Sequence, residues 1–213
     1  GIPFGGVPLT DSKQQYGTLE LSYNPTSQIG LTSTTGFYNL DSHSLFATGQ
    51  PTGPGASLAT ENQFQRRDLT QEFRVDSDFA SPLNFTAGAF YQDGRLSNRA
   101  TVRGNAALGL GANRTDATTA VDITTYSLFG QLRWRVIPEL ELSAGARWTD
   151  ETRSETVFDH ITKLFRTPVR SRIHASNIAP EFTATYTPSD DLTLFSAYKH
   201  GFKSGSFTLS SAV

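Results

Sequence analysis

The chain has 213 residues, a formal charge of −2, no cysteine and no methionine, and its aromatic residues number 15 Phe, 7 Tyr and 2 Trp. A near-neutral charge without a basic run gives no reason to expect nucleic-acid binding, and the lack of cysteine excludes a disulfide framework and a thiolate metal site. No stretch approaches the run of about 20 apolar residues that a membrane-spanning helix needs.

Four predicted β-hairpins follow one another along the chain, each with a short proline-containing turn between its strands. The paired strands are Leu19–Tyr23 with Leu31–Phe37, Leu69–Phe79 with Leu83–Tyr91, Tyr126–Val136 with Leu140–Trp148, and Ile178–Tyr186 with Leu192–Tyr198. We expect the long polar stretches at 41–66, 93–122 and 150–176 to be loops. Alternating short turns and long loops are typical of outer-membrane barrels, where one rim carries the turns and the other carries the loops.

The third hairpin shows a period of two over about ten residues, which matches a tilted strand that spans a membrane. Leu132 and Trp134 alternate with Arg133 and Arg135. A three-residue turn at Pro138 would place Arg135 opposite Glu141 on the polar side, and Trp134 opposite Leu142 on the apolar side. We expect the following residues to face lipid: Leu128, Leu132, Trp134, Leu142, Ala144 and Trp148.

A soluble β-sandwich would also alternate apolar and polar residues, because its sheets have one wet side. Two features favour the membrane interpretation. The polar side of the predicted strands carries full charges, and the apolar side is rich in alanine and glycine as well as aromatic residues. The fold class predicted from the residues is therefore all-β, an antiparallel outer-membrane β-barrel segment of about eight strands.

Six short motifs resemble strands of the TonB-dependent outer-membrane receptors, in the order in which that family carries them. They are Leu31–Phe37 (LTSTTGF), Thr70–Val75 (TQEFRV), Phe85–Tyr91 (FTAGAFY), Leu142–Thr149 (LSAGARWT), Asn177–Phe182 (NIAPEF) and Ser196–Gly205 (SAYKHGFKSG). The resemblance extends from about Gly17 to Phe207. It implies a part of a large barrel of about 22 strands that encloses a plug. The chain shows no plug and no TonB box, so we expect a central part of such a barrel.

On this interpretation 1–213 is a single barrel segment, with an extension at 1–16, about eight strands over 17–207 and a tail at 208–213. The resemblance implies uptake of a siderophore or a similar scarce nutrient across the outer membrane of a Gram-negative bacterium. The implied partners are outer-membrane lipid, the small nutrient, and, in the parent protein, its own plug and TonB. The charged side would then face the lumen, where these residues are candidates to meet the plug or the ligand: Glu72, Arg74, Arg133, Glu141, Arg147, Glu181 and Lys199.

Two other functions stay open from the sequence. One is a small closed barrel with a structural role, since eight strands are enough to close a barrel. The other is a serine-type ester hydrolase, because Asp41, Ser42 and His43 include the residue types of a catalytic triad. Against the hydrolase, neighbours in sequence rarely form a triad, and the four histidines make no metal-ligand spacing with one another. We therefore predict no catalytic residues, no cofactor and no metal site.

Overall fold

The computed structural model describes residues 3–48, 56–166 and 170–209, which form an antiparallel sheet. Its strands are β1 Leu9–Thr26, β2 Ile29–Thr48, β3 Leu58–Ser77, β4 Leu83–Gly104, β5 Thr115–Ile137, β6 Leu140–Asp159, β7 Leu164–Phe165, β8 Ser171–Ser189 and β9 Leu192–Lys199. The order in the sheet follows the chain, except that the short β7 pairs only with β6. The all-β antiparallel prediction is confirmed.

Short 3₁₀ helices occur at Pro3–Gly6 and Ala106–Leu108. Across the described ranges, no helix has the length and apolar character required to cross a membrane.

The register predicted for the third hairpin is confirmed. Arg135 lies opposite Glu141 and Trp134 lies opposite Leu142 across the β5–β6 pair. The four short turns lie at one end of the sheet, which we call the turn end. At the other end, which we call the loop end, β2, β4 and β6 finish and β3, β5 and β8 begin, because successive strands run in opposite directions.

Prolines mark places where the regular ladder stops at the turn end. The register shifts between Tyr23 and Thr26, between Arg135 and Ile137, and between Tyr186 and Ser189. Pro25 and Pro188 lie inside two of these intervals. Proline lacks an N–H group for the ladder, so it is tolerated in a strand at such irregular positions.

The long strands correct three expectations from the sequence. β2 to β6 contain 20 to 23 residues each, about twice the ten that were expected. The stretches 41–66, 93–122 and 150–176 were predicted to be loops, but most of their residues belong to these strands. Likewise, β1 already begins at Leu9, within the expected extension at 1–16. At the loop end of β4 and β5 the apolar residues change sides, since Ala100, Val121 and Ile123 are buried on the inner face while the outer face is polar. The apolar alternation of the hairpins therefore does not continue in phase, although paired backbone groups hold these parts in the sheet.

Alternation gives the sheet two sides, which we name by the residues of β5. The outer face carries Leu128, Leu132 and Trp134, and the inner face carries Phe129 and Arg133. Because the pairing is regular from β2 to β8, each strand places alternate residues on the same two faces.

Among the described residues, β1 pairs only with β2 and β9 only with β8, so the two ends of the sheet are not joined. This open arrangement gives no support to the small closed barrel. After β9 the chain turns onto the inner face. There the Ser204 hydroxyl donates a hydrogen bond to Glu151, and the Asn98 side chain donates to the carbonyl of Leu209 at 3.0 Å.

Candidate functional site: the inner face of the sheet

Arg147 lies at the centre of the inner face, between two aromatic rings. Its guanidinium carbon is 5.2 Å from the ring centre of Phe90 and 5.3 Å from that of Phe129. A cation held over ring faces is stabilised by the ring quadrupoles. Gly88 makes room for Phe129, since a Cβ at this glycine would lie 2.4 Å from Cζ of that ring. The rings of Phe90 on β4 and Phe129 on β5 thus hold the guanidinium of Arg147 in position.

Glu181 connects three strands beside Arg147. Its carboxylate accepts a hydrogen bond from Gln131 at 3.0 Å and lies 3.2 Å from Nζ of Lys199. The Gln131 side chain reaches Glu181 across β6, where the intervening residue is Gly145. A side chain at this glycine would crowd the pair, because its Cβ would lie 3.2 Å from Oε1 of Glu181.

These groups line an open depression of about 610 Å³ on the inner face. It brings together three of the seven predicted residues, namely Arg147, Glu181 and Lys199. A guanidinium, a carboxylate and an ammonium group around one depression provide both hydrogen-bond donors and acceptors for a polar ligand or protein segment.

Two further candidates lie nearer the turn end. Arg74 donates to Asp76 at 2.9 Å, and Asp76 also accepts a hydrogen bond from Thr86 at 2.6 Å. Arg133 donates to the carbonyl of Ser77 at 3.3 Å, while its Nε is buried without a hydrogen-bond partner among the described residues. A buried N–H group without a partner is costly in free energy, so this Nε is an unsatisfied donor in the wall of the inner face.

The last two candidates, Glu72 and Glu141, lie on the inner face apart from the ion pairs of that face. Within the described ranges, Glu72 and Glu141 form no ion pair, and the register partners Glu141 and Arg135 form none with each other. Cross-strand alignment of Cα atoms does not by itself hold an exposed arginine and a half-buried glutamate together, because an ion pair near solvent gains little free energy.

The inner face also holds charged residues that sequence reasoning missed. Asp68 is buried and accepts hydrogen bonds from Arg66 at 2.6 Å and Gln92 at 2.9 Å. Glu151 accepts from Arg153 at 2.7 Å and from Thr125 at 3.2 Å. Arg66, Glu151 and Arg153 fell in stretches predicted to be loops. For Glu151 and Arg153, the signal that could have found them is the alternation of charged residues that continues past Trp148.

Near the loop end, a cluster of polar side chains surrounds one carboxylate on the outer face. Glu61 is bound by Arg103 and His43, each at 2.9 Å, and by Gln63 at 2.8 Å. Burial raises the pKa of Glu61, but these hydrogen bonds outweigh it and hold the pKa below its usual value of 4.5. The cluster fastens β2, β3 and β4 to one another.

The geometry does not assemble the hydrolase triad. Ser42 faces the inner side, where its hydroxyl lies 2.7 Å from that of Ser12, whereas His43 faces the outer side and contacts Glu61. Adjacent residues of a strand point to opposite faces, so Ser42 and His43 cannot act as a nucleophile and its base. In the part of the chain that the structure describes, no cluster of three or more potential metal ligands occurs.

The outer face carries an apolar band next to the turn end. Leu128, Leu132 and Trp134 expose 57%, 54% and 51% of their surface, so the band is uncovered. In β5 it runs from Trp134 to Tyr126, which is about 27 Å along the strand, or about 20 Å in height at a tilt of about 40°. This height approaches the apolar band of about 25 Å that outer-membrane barrels present to lipid. Beyond Tyr126 the same face becomes polar and charged.

Comparisons with known proteins agree with this architecture. The family model of the TonB-dependent receptor-like β-barrel matches residues 3–212. No curated protein matches the chain.

Among solved structures, the chain is similar to the ferric yersiniabactin uptake receptor FyuA from Yersinia pestis, with a TM-score of 0.74 and 14% identity over 89% of this chain and 28% of that one. It is also similar to the ferric-catecholate import receptor Fiu from E. coli K12, with a TM-score of 0.67 and 12% identity over 90% of this chain and 36% of that one. The siderophore receptor PiuA from Acinetobacter baumannii gives a TM-score of 0.65 and 13% identity over 90% and 32%.

The chain thus spans about a third of the length of these receptors, and at such low identity the likeness to them concerns the fold. The family is established by the model that matches nearly the whole chain, together with the two-faced sheet. The chain belongs to the TonB-dependent receptor-like β-barrel family.

Proposed function

We propose that this chain forms part of the barrel wall of an outer-membrane receptor that takes up a ferric siderophore or a similar scarce nutrient. In the parent protein, the inner face would contact a plug and the passing ligand, and TonB would supply the energy by pulling on the plug. The proposal involves no covalent step catalysed by this chain.

The observation that carries the proposal is the contrast between the two faces at one level of the sheet. Where the outer face is apolar and exposed, the inner face carries Arg147, Glu181 and Lys199. Lipid on one side and a polar lumen on the other account for both faces, whereas a soluble protein would leave the large apolar band uncovered.

Three of the structurally similar proteins support the choice of nutrient. They are described as a ferric yersiniabactin uptake receptor, a siderophore receptor and a ferric-catecholate import receptor. Ferric siderophores carry oxygen-rich, often anionic groups that suit arginine donors. The guanidinium of Arg147 is therefore our first candidate on this chain for a contact with ligand or plug, and that of Arg133, a half-buried residue, is the second.

Uptake by cells tests this proposal. The full-length protein that carries this chain is expressed in a Gram-negative strain lacking its own siderophore receptors. The cells receive radioactive iron on a catecholate, a hydroxamate or a citrate carrier, and a labelled corrinoid serves as a further arm. We expect accumulation of at least one compound, and we expect it to disappear in cells without TonB.

Variants connect uptake to the inner face. Arg147→Leu and Glu181→Gln should lower uptake, while Arg114→Gln, an exposed change at the loop end, should leave it unaltered. Accumulation no higher than in cells with an empty vector, for every compound and with the protein present in the outer membrane, would contradict the proposal.

A further inference from the structure

A row of arginines crosses the outer face just beyond the apolar band. Arg67 of β3 and Arg95 of β4 are direct cross-strand partners, and the pairing continues from Arg95 through Asp122 and Ser154 to Arg172 of β8. Like charges placed directly opposite each other destabilise a sheet. The pair Arg67–Arg95 therefore costs stability unless an anion lies between the two side chains.

The protein itself neutralises this row only weakly. Arg95 and Arg170 share one carboxylate, Asp122, and each lies 3.7 Å from it, beyond hydrogen-bond length. Among the residues that the structure describes, the one hydrogen-bond acceptor of the Arg67 guanidinium is an amide oxygen, that of Asn39, at 3.2 Å. Within the described ranges, Arg172 forms no ion pair.

Acidic residues border the row on the side of the apolar band. Asp150 is engaged by His174 at 2.8 Å, and Asp93 lies one step closer to the band than Arg95. Arg95 and Arg170 expose 71% and 58% of their side chains, so both have room to bind a further group. Exposed pairs at 3.7 Å contribute little, so positive charge remains available on the row.

The height of the arginine row on the sheet places it close to the lipid headgroups. The rings of Tyr91 and Tyr126 contact each other with centres 5.2 Å apart, and aromatic residues mark the boundary between lipid tails and headgroups. Arg95 follows Tyr91 by four residues, or about 10 Å in height for a tilted strand. Arginine side chains are long enough to reach back to the polar headgroup layer, which extends about 5–7 Å beyond the tails.

We propose that Arg67 and Arg95, assisted by Arg172, bind the phosphate of an anionic lipid in the outer leaflet. This site rests on the membrane placement in the proposed function but is separate from nutrient uptake. The guanidinium group suits phosphate because its planar set of donors matches two phosphate oxygens at once. The occupant is continuous with the lipid that covers the apolar band.

The test uses the full-length protein in phosphatidylcholine nanodiscs, titrated with a fluorescent phosphorylated glycolipid or with the same glycolipid after dephosphorylation. The test variant is the pair Arg67→Gln and Arg95→Gln. The matched control is Arg114→Gln with Arg166→Gln, two exposed arginines at the loop end. We expect the test pair to bind the phosphorylated form about 30-fold more weakly than the parent and the control to bind like the parent.

Dephosphorylated glycolipid should bind all three proteins equally and weakly, and inorganic phosphate at the same concentration should not displace the lipid. Equal binding of the phosphorylated form by the test pair and the parent would overturn the proposal, as would displacement by inorganic phosphate. Uptake is measured separately in the cells described above. Failure of uptake with intact lipid binding contradicts only the nutrient proposal, and the reverse contradicts only the lipid site.

Discussion

Two variants that each introduce one arginine on β5 test which part of the outer face contacts lipid. Leu132 is in the exposed apolar band. Ala120 is also on the outer face but lies twelve residues further toward the loop end. Leu132→Arg should destabilise the protein by about 2–4 kcal/mol, because the charge would enter the hydrocarbon layer. Ala120→Arg should change the free energy of unfolding by less than about 1 kcal/mol. Urea unfolding in lipid vesicles measures both, and equal stability of the two variants would contradict the assignment of the outer face.

Two glycines at the same level test the packing of the inner face. A Cβ at Gly88 would lie 2.5 Å from the carbonyl oxygen of Phe73, whereas one at Gly130 would meet nothing closer than 3.8 Å. Gly88→Ala should therefore cost about 1–3 kcal/mol through overpacking, and it should also displace Phe129 from Arg147. Gly130→Ala should be close to neutral. The midpoint of heat-induced mobility change on gels compares the two, and a Gly88→Ala protein as stable as the parent would show that the close approach is absent.

At the scale of elements, the loop-end parts of β4 and β5 depend on a carboxylate. Asp116 accepts two hydrogen bonds of 2.9 Å from Arg99, and these hold its pKa below the usual 3.8 against the opposing effect of burial. A lowered pKa stabilises the folded state at pH above the unfolded value, and this contribution is lost as the pH falls through the folded value. Below about pH 4, amides at these strand ends should exchange faster, after correction for intrinsic rates.

Asp116→Asn should lose this protection already at neutral pH and should respond less to acid. Asp122→Asn is the matched control, since the arginines near Asp122 lie at 3.7 Å and the carboxylate is exposed. Hydrogen exchange followed by mass spectrometry resolves the strand ends. Identical pH profiles for the parent and Asp116→Asn would show that this ion pair does not fasten them.

The same elements explain what the sequence predicted and what it did not. Trp134, Leu132 and their alternating arginines identified β5 and its register, because lipid on one side and polar groups on the other produce a period of two. Toward the loop end the apolar residues Ile123, Val121 and Ala117 lie on the inner face instead, so the apolar pattern changes phase while the ladder continues. Arg74 and Arg133 could be assigned a face from parity, but their contacts with Asp76 and Ser77 could not, since these depend on side-chain geometry.

At the scale of the whole molecule, the meander makes one prediction about all connections together. Every short turn should lie on the periplasmic side and every long connection on the exterior side, as in the outer-membrane barrels that alternate in this way. The chain contains no cysteine, so it adds no thiol of its own to this test. Gly111→Cys places one thiol in an exposed connection at the loop end, where a Cβ would meet nothing within 4 Å. Ser81→Cys and Asp190→Cys place one in each of two exposed turns.

A membrane-impermeant maleimide applied to intact cells should label the Gly111→Cys protein and leave the two turn variants unlabelled. After the outer membrane is permeabilised, all three should react, because all three positions are exposed. The second labelling step separates a thiol on the periplasmic side from one that is buried. Labelling of either turn variant in intact cells would mean that the sheet is inverted or that the turns do not share one rim. The lumen proposal and the lipid-site proposal both depend on this orientation of the sheet, so both would be contradicted.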